Sequence, residues 1–276
     1  RRFDPTLSAA GALSAKLEAT WSANGARVEG SAAVKNLDLG AAWLHGDRLK
    51  LASAELPLKA EFEGRRVKVE RAELRCDAGT LSAKGTLDAS QPLDNLFDHP
   101  GIAAAGDLAL AKVAALLPHV PPIREGTAIR EGRLTVKLAS QPSDAGATWS
   151  GEVRTSNLKA ERAGKPIEWN EPLAIEFTGR VPAGQMPTFD KFTCRSEFIA
   201  INAKGSPESV KAAANVYLDR LGARLGEFVD LRGITLDGEG AATLVAGRTP
   251  GGVFKGGAGL EPKQMTGSDG PNRGVH

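Results

Sequence analysis

The sequence has few of the residues that mark the common specialised classes of protein. It contains two cysteines, Cys76 and Cys194, and no Cys-x-x-Cys pair, so neither a disulfide framework nor a cysteine metal site is expected. Aromatic residues make up 5% of the chain, too few for rows of base-stacking side chains. The 35 Lys and Arg nearly balance the 33 Asp and Glu, so no excess of positive charge favours nucleic acid as a partner.

Long hydrophobic runs are also missing. No apolar stretch reaches the roughly 18 residues that a membrane-spanning helix needs. The sequence begins with Arg1-Arg2 rather than Met, and no apolar signal core follows. We therefore expect a fragment or a mature form, with any export signal or membrane anchor outside it.

No pattern of catalytic or metal-binding residues is recognisable. The four histidines, His45, His99, His119 and His276, form no His-x-x-x-His or His-Glu-x-x-His pair. Neither a Gly-x-Ser-x-Gly elbow nor a phosphate-binding loop occurs. The sequence thus predicts a protein that is not an enzyme and has no catalytic residues, metal site or cofactor.

Short runs that alternate apolar and polar residues fill most of the chain. Leu13, Ala15 and Leu17 alternate with polar residues before the turn signal Asn24-Gly25, and Leu56 to Phe62 repeats the pattern. A period of two gives each strand one apolar and one wet face. The prediction is an all-β, mainly antiparallel fold made of tandem curved sheet units that form an elongated groove, with short crossover helices.

Two segments have helical spacing instead. Leucine and valine recur at intervals of three and four residues near 108–117, which Pro118 ends, and near 216–225, which Gly226 ends. Both predicted helices span about three turns at most.

The order of these patterns repeats along the chain. Leu13, Leu17, Gly25, Gly30, Asn36 and Leu37 match Leu134, Leu138, Gly146, Gly151, Asn157 and Leu158, and later matches include Phe62 with Phe177 and Cys76 with Cys194. The expected division is one β-groove unit over 1–118, a second over 119–226, and the start of a further unit over 227–250. Residues 251–276, rich in glycine, are expected to form a flexible tail.

Matching alternation in the two units identifies one candidate surface. Leu56, Leu58 and Phe62 alternate with Lys59 and Glu61. The residues expected to line the inner surface are Leu56, Leu58, Phe62, Leu74, Leu173, Ile175 and Phe177. Two short helices cannot cover such a face, so its remainder is a candidate lipid surface. The alternative is a sheet that closes on itself and fills its core with side chains.

The segment Gly106-Asp107-Leu108-Ala109-Leu110-Ala111-Lys112-Val113-Ala114-Ala115-Leu116-Leu117-Pro118, followed by Gly132-Arg133-Leu134-Thr135-Val136-Lys137-Leu138, carries a family resemblance. A short Leu-rich helix between Gly-turned amphipathic strands resembles the AsmA/TamB superfamily of bacterial envelope proteins, over about residues 10 to 246. The resemblance implies stacked β-groove units, a periplasmic body and an inner-membrane anchor on a segment absent from this chain.

The same resemblance implies a function. Proteins of this superfamily are bridge-like, and the implied activity is transfer of phospholipid between the inner and outer membranes in support of outer-membrane assembly. The implied partners are phospholipid acyl chains and, through parts of the parent protein outside this chain, the two membranes; no nucleic acid is expected. The alternative prediction is a non-catalytic structural or adhesive β-repeat protein with a filled core.

Overall fold

The computed structural model of the chain describes most of it. The described residues are 6–44, 46–90, 101–118, 126–144, 146–169, 171, 173–182, 187–206, 209–220, 222, 235–248 and 254–268. The first strands and helices are β1 (Ser8–Ser22), β2 (Gly25–Gly40), the 3-10 helix η1 (Ala42–Leu44), β3 (Arg48–Glu63), β4 (Arg66–Cys76), β5 (Gly79–Asp88), β6 (Ala103–Ala109) and α1 (Leu110–Leu116). The remainder are β7 (Thr127–Ser143), β8 (Gly146–Arg162), β9 (Lys165–Trp169), β10 (Ala174–Pro182), β11 (Thr188–Arg195), β12 (Ile199–Ser206), β13 (Ser209–Tyr217), β14 (Thr235–Arg248) and β15 (Phe254–Ser268).

All the strands belong to one curved, antiparallel sheet with two open edges, β1 and β15. Fourteen strands follow one another in chain order, while the short β9 pairs with the end of β8 beyond the part that pairs with β10. The all-β prediction is confirmed. Strands that alternate in hydrophobicity and are joined by short turns pair most readily with their sequence neighbours, which gives this up-and-down order.

Matched residues of the two predicted units have matching backbone conformations. Asn36 in β2 and Asn157 in β8 have φ angles of 51° and 52°, a left-handed conformation that asparagine tolerates better than most residues. Gly11 in β1 and Gly132 in β7 have φ angles of 147° and 144°. The regular pairing is interrupted beside these residues in both hairpins, so β1–β2 and β7–β8 carry a bulge at the same place.

The helical segments differ from their predicted limits. Leu108 belongs to β6, and α1 covers Leu110–Leu116 and connects the neighbouring strands β6 and β7. In the second segment Val216 and Tyr217 end β13, and Leu218–Arg220 are helical. Leu221 and residues 223–226 lie outside the described residues. The spacing of i and i+2 at each strand end, Leu108 with Leu110 and Val216 with Leu218, is that of a strand and not of a helix, so the predicted helices begin too early.

The C-terminal prediction is wrong for residues 254–268. This stretch, expected to be a flexible tail, forms β15 and pairs with β14 along its length. Glycine has no side chain to signal a strand, but its N–H and C=O complete the ladder as well as those of any residue. Residues 251–253 and 269–276 lie outside the described residues.

The helices lie at one end of the strands, here called the helix-bearing end. η1 connects β2 to β3 there, and α1 lies against β3, β6 and β7. Leu44 of η1 has no solvent exposure. Leu51, Ala54 and Ala78, which lie near these strand ends in the sequence, are also buried. The helix-bearing end is therefore one of the places where the chain buries apolar side chains.

Candidate functional site

One line of directly paired residues crosses the whole sheet without a polar side chain. Each member faces the next across a strand pair, so all lie on the same side of the sheet. From β1 to β15 the line contains Leu17, Gly30, Leu58, Ala72, Ala83, Ala104, Leu138, Gly151, Phe177, Phe192, Ala203, Ala212, Leu244 and Ala258. The side of the sheet that carries this line is called the apolar face below.

A second line runs beside the first from β4 to β14. Its members, again paired strand by strand, are Leu74, Leu81, Gly106, Val136, Val153, Ile175, Cys194, Ile201, Ala214 and Ala242. Bulges at Glu70 and Asp190 insert one residue each and keep the apolar residues of β4 and β11 on this face. The apolar face is therefore a strip at least two residues wide.

The structure brings the seven predicted surface residues onto this one face. Leu58 and Phe177 stand in the first line, and Leu74 and Ile175 stand in the second. Leu56 pairs with Ala32, Phe62 pairs with Ala26 and Val67, and the backbone of Leu173 accepts a hydrogen bond from that of Thr155. A slip of one residue would have put Lys59 and Glu61 there instead.

Both cysteines also lie on the apolar face. Cys76 pairs with Ala54, and Cys194 pairs with Ile175 and Ile201. Their thiols are free, as the sequence predicted. Burial raises the pKa of the Cys194 thiol, as expected of a small apolar-facing side chain.

The opposite side of the sheet carries the charged residues, which pair across strands. In β2 to β4 the ions are Arg27, Glu29, Lys59, Glu61, Lys68 and Glu70, with a Lys59 Nζ to Glu70 Oε2 distance of 3.0 Å. Hydrogen bonds from Lys59 and Lys68 hold the pKa of Glu70 below its ordinary value. Arg133 likewise bonds Asp107 and lowers the pKa of that carboxyl. These exposed pairs fix which side faces water and add little stability each.

Large side chains lie flat over glycines of the neighbouring strand. A Cβ added to Gly151 would collide with the Phe177 ring, and one added to Gly106 would stand 2.8 Å from Cδ2 of Leu81. A Cβ on Gly132 would meet Leu110 of α1 and Leu158 at 3.1 Å. These glycines leave room for a neighbour's side chain, and at Gly132 that space seats the helix on the apolar face.

Protein covers the apolar face at both ends of the strands. At the helix-bearing end α1 packs on it, with Ala160, Ile167 and Trp169 clustered nearby. At the other end Ile102, Ala147, Trp149 and Val181 form a buried cluster that Leu138 and Phe177 contact. The sequence analysis missed this cluster, although Ala147 and Trp149 alternate with polar neighbours and so signalled the same face.

Part of the face is exposed to solvent in the described residues. Leu56 is 37% exposed, Phe62 38% and Leu81 44%, high values for large apolar side chains. A broad, partly exposed apolar surface of this kind is typical of a binding site.

No family model, curated protein or solved structure matches this chain. The likeness to the AsmA/TamB superfamily therefore rests on the sequence pattern quoted above.

Two other features are absent from the described residues. In that part of the chain no helix is long and apolar enough to cross a membrane. Nor do His, Cys, Asp and Glu gather there in a group of three that could hold a metal ion. All four histidines lie outside the described residues.

Proposed function

We propose that this chain is a segment of a bacterial envelope protein whose apolar face binds phospholipid acyl chains and conducts phospholipid between membranes, in support of outer-membrane assembly. One observation carries the proposal: an uninterrupted line of apolar residues crosses fourteen paired strands, and large apolar side chains beside it on the same face, such as Leu56 and Leu81, are solvent-exposed. In water such a surface is unfavourable by about 25 cal/mol for each Å² left uncovered. An acyl chain would cover it without requiring specific polar contacts.

The dimensions suit a lipid. Fourteen strands at about 4.8 Å spacing give a strip on the order of 60 Å long. One leaflet's acyl chains occupy roughly half of the 30 Å hydrocarbon core, about 15 Å. The strip could hold several acyl chains one after another along its length. A pocket for one small ligand would instead be closed at both ends. The lack of polar groups along the strip favours movement over tight, specific binding.

The place of this segment in the cell is part of the proposal. A face that guides acyl chains is useful between two membranes, so we assign the chain to the periplasm. Parts of the parent protein outside this chain would contact the inner and outer membranes and supply the inner-membrane anchor. The resemblance to the AsmA/TamB superfamily supports this assignment.

A second candidate is a structural or adhesive β-repeat protein without a ligand. The buried cluster of Ile102, Ala147, Trp149 and Val181 favours it, because protein side chains there cover the apolar face themselves. The two candidates differ in how they account for the exposed part of the apolar face. A purely structural role gives that surface no purpose.

The test compares two neighbouring residues of β5 that face opposite sides. Leu81→Asp puts a carboxylate on the exposed apolar face, and Thr80→Asp puts the same charge opposite Arg75 on the charged face. We expect phospholipid to co-purify with the parent protein and with Thr80→Asp, as measured by mass spectrometry of extracted lipid. Leu81→Asp should lower occupancy at least about fivefold, since even a neutral polar group left unpaired beside acyl chains costs about 1–3 kcal/mol and a charge costs more.

The same variants should be tested with a pyrene-labelled phosphatidylcholine, which has no net charge on its headgroup. Circular dichroism confirms that each variant is folded, which is expected because both positions are exposed. Equal lipid occupancy in Leu81→Asp and Thr80→Asp, or no lipid on the folded parent protein, would overturn the proposed function and favour the structural role.

A further inference from the structure

The β1 edge of the sheet is exposed along its full length. All fifteen residues of β1 are solvent-exposed, and one side of the strand pairs with β2 while no described strand lies along the other. Leu13, Leu17 and Trp21 are 73%, 53% and 82% exposed, the largest exposures among the described large apolar side chains. Sheet proteins usually protect such an edge or use it for pairing.

The regular part of this edge is symmetric about one residue. The pairing of β1 with β2 is irregular at Gly11 and ends at the two-residue turn after Ser22, so Ala12–Ser22 forms an unbroken ladder. Leu17 is its central residue. A two-fold axis through Leu17, perpendicular to the sheet, would therefore pair this ladder with that of a second copy over its whole length.

The backbone groups face the right way for such pairing. Ser22 and Gly25 flank a two-residue turn, so Ser22 and every second residue before it bond to β2. In agreement with this pattern, the carbonyl group of Lys16 lies against Gly30 of β2. The N–H and C=O groups of Leu13, Ala15, Leu17, Ala19 and Trp21 consequently point outwards. Pairing about Leu17 would join these residues to one another through about ten hydrogen bonds.

Apolar side chains complement one another in this arrangement. Leu17 would meet Leu17 of the second copy, and Leu13 would meet Trp21. A perpendicular two-fold axis keeps the same face of both sheets on the same side, so these contacts lie on the apolar face. The three most exposed of the described large apolar side chains would be covered together.

The charges are complementary as well. On the other side of β1 the same axis sets Lys16 opposite Glu18 of the second copy, and Glu18 opposite Lys16. Neither residue has an ion-pair partner among the described residues, whereas the charges in the strands beside them are paired. Within the chain Glu18 stands opposite Glu29, an unfavourable like-charge pair that a neighbouring lysine would relieve.

We propose that two copies of this chain associate edge to edge through β1, in antiparallel register about Leu17. The dimer is a single sheet in which the apolar faces of both copies are continuous. The proposal rests on the β1 edge alone and holds whether or not the apolar face binds lipid.

Light scattering coupled to size-exclusion chromatography tests it on the full chain, from about 1 µM to about 200 µM. The parent protein should approach twice the chain mass of 28.8 kDa as concentration rises. Lys16→Glu and Glu18→Lys should each weaken the dimer about tenfold at low salt, because each creates two like-charge contacts across the axis. The double variant Lys16→Glu/Glu18→Lys should restore it, since the charges are then exchanged.

Both variants should fold, because both positions are exposed and Glu18→Lys places a favourable charge opposite Glu29. Lys84→Glu in β5 makes the same change of net charge as Lys16→Glu at an exposed site away from the edge and should leave the dimer unchanged. Leu17→Pro removes an outward N–H without breaking the β1–β2 ladder and should give a monomer.

Three results would overturn the proposal. The first is a parent protein that stays monomeric at about 200 µM. The second is a dimer that single charge changes at Lys16 or Glu18 weaken no more than Lys84→Glu does. The third is growth beyond the dimer with concentration, which indicates head-to-tail contact between the β1 and β15 edges in place of a two-fold axis.

Discussion

Gly151→Ala should destabilise the protein through one aromatic ring. Gly151 in β8 faces Phe177 in β10, and the Phe177 ring occupies the space that an added methyl group needs. Gly151 has no positive φ, so its backbone accepts alanine without strain. The ring must therefore lift, which disturbs its packing on the Trp149 cluster and its edge contact with Phe189, whose centroid is 5.9 Å away.

The magnitude follows from two opposing effects. Replacing a strand glycine with alanine stabilises by about 0.5–1 kcal/mol, because the unfolded chain becomes less free. Forcing a methyl group into occupied space costs about 1–3 kcal/mol. We expect a net loss of about 0.5–2 kcal/mol in the free energy of unfolding. In a Phe177→Ala background the space is empty, so the same change should stabilise by about 0.5–1 kcal/mol.

The assay is urea denaturation of the four proteins of this double-mutant cycle, followed by tryptophan fluorescence, to which buried Trp149 contributes. Gly106→Ala is the matched control on the same face. Its nearest neighbour is the flexible end of Leu81, which can move aside, so the change should be close to neutral. If Gly151→Ala alters stability equally with and without the phenyl ring, Phe177 does not lie across β8 and the description of the apolar face is wrong.

Three further predictions concern the backbone, the charged face and the thiols. Asn36→Ala and Asn157→Ala should each cost about 1 kcal/mol in urea denaturation, because alanine tolerates a left-handed φ poorly, while glycine at either position should be neutral or better. The pKa of Glu70 is lower in the folded protein than its ordinary 4.5, so the stability it contributes is present above about pH 4.5 and is lost as pH falls through its folded value. Glu70→Gln should therefore flatten the acid side of the stability–pH curve, and an unchanged curve would contradict the ion-pair geometry. Thiol counting in denaturant without reductant should find both Cys76 and Cys194 reactive, and an internal disulfide between them would exclude the open sheet. In the native protein, alkylation of Cys194 should require a higher pH than alkylation of a free cysteine, because burial raises the pKa of its thiol.

Alternation predicted the two faces well, because a period of two depends only on local sequence. Leu56, Leu58 and Phe62 required no knowledge of their partners to be placed on one side. The alignment of Leu58 with Phe177 could not be predicted, since it depends on the bulge at Glu70, which exists only once the strands pair.

The number of strands also could not be predicted from the sequence alone. Cys76 in β4 and Cys194 in β11, which the repeat matches, are separated by six strand-to-strand steps, a number that the alternation of apolar and polar residues does not specify. The predicted helix includes the end of β6, because Leu108 directly precedes the helical spacing of Leu110 and Val113. β15 gave little signal because four of its fifteen residues are glycine, which leaves no side chain to form a pattern.

The strict neighbour-to-neighbour order of the strands has a consequence for how the chain folds. With almost all contacts between adjacent strands, the contact order is low and each hairpin can form as soon as its own residues are available. Stability then resembles a sum over successive strand pairs, as in a one-dimensional array. Loss of structure can begin at an outer strand and stop part-way, so the chain can assemble progressively from its N-terminus as it emerges from a ribosome or a translocation channel.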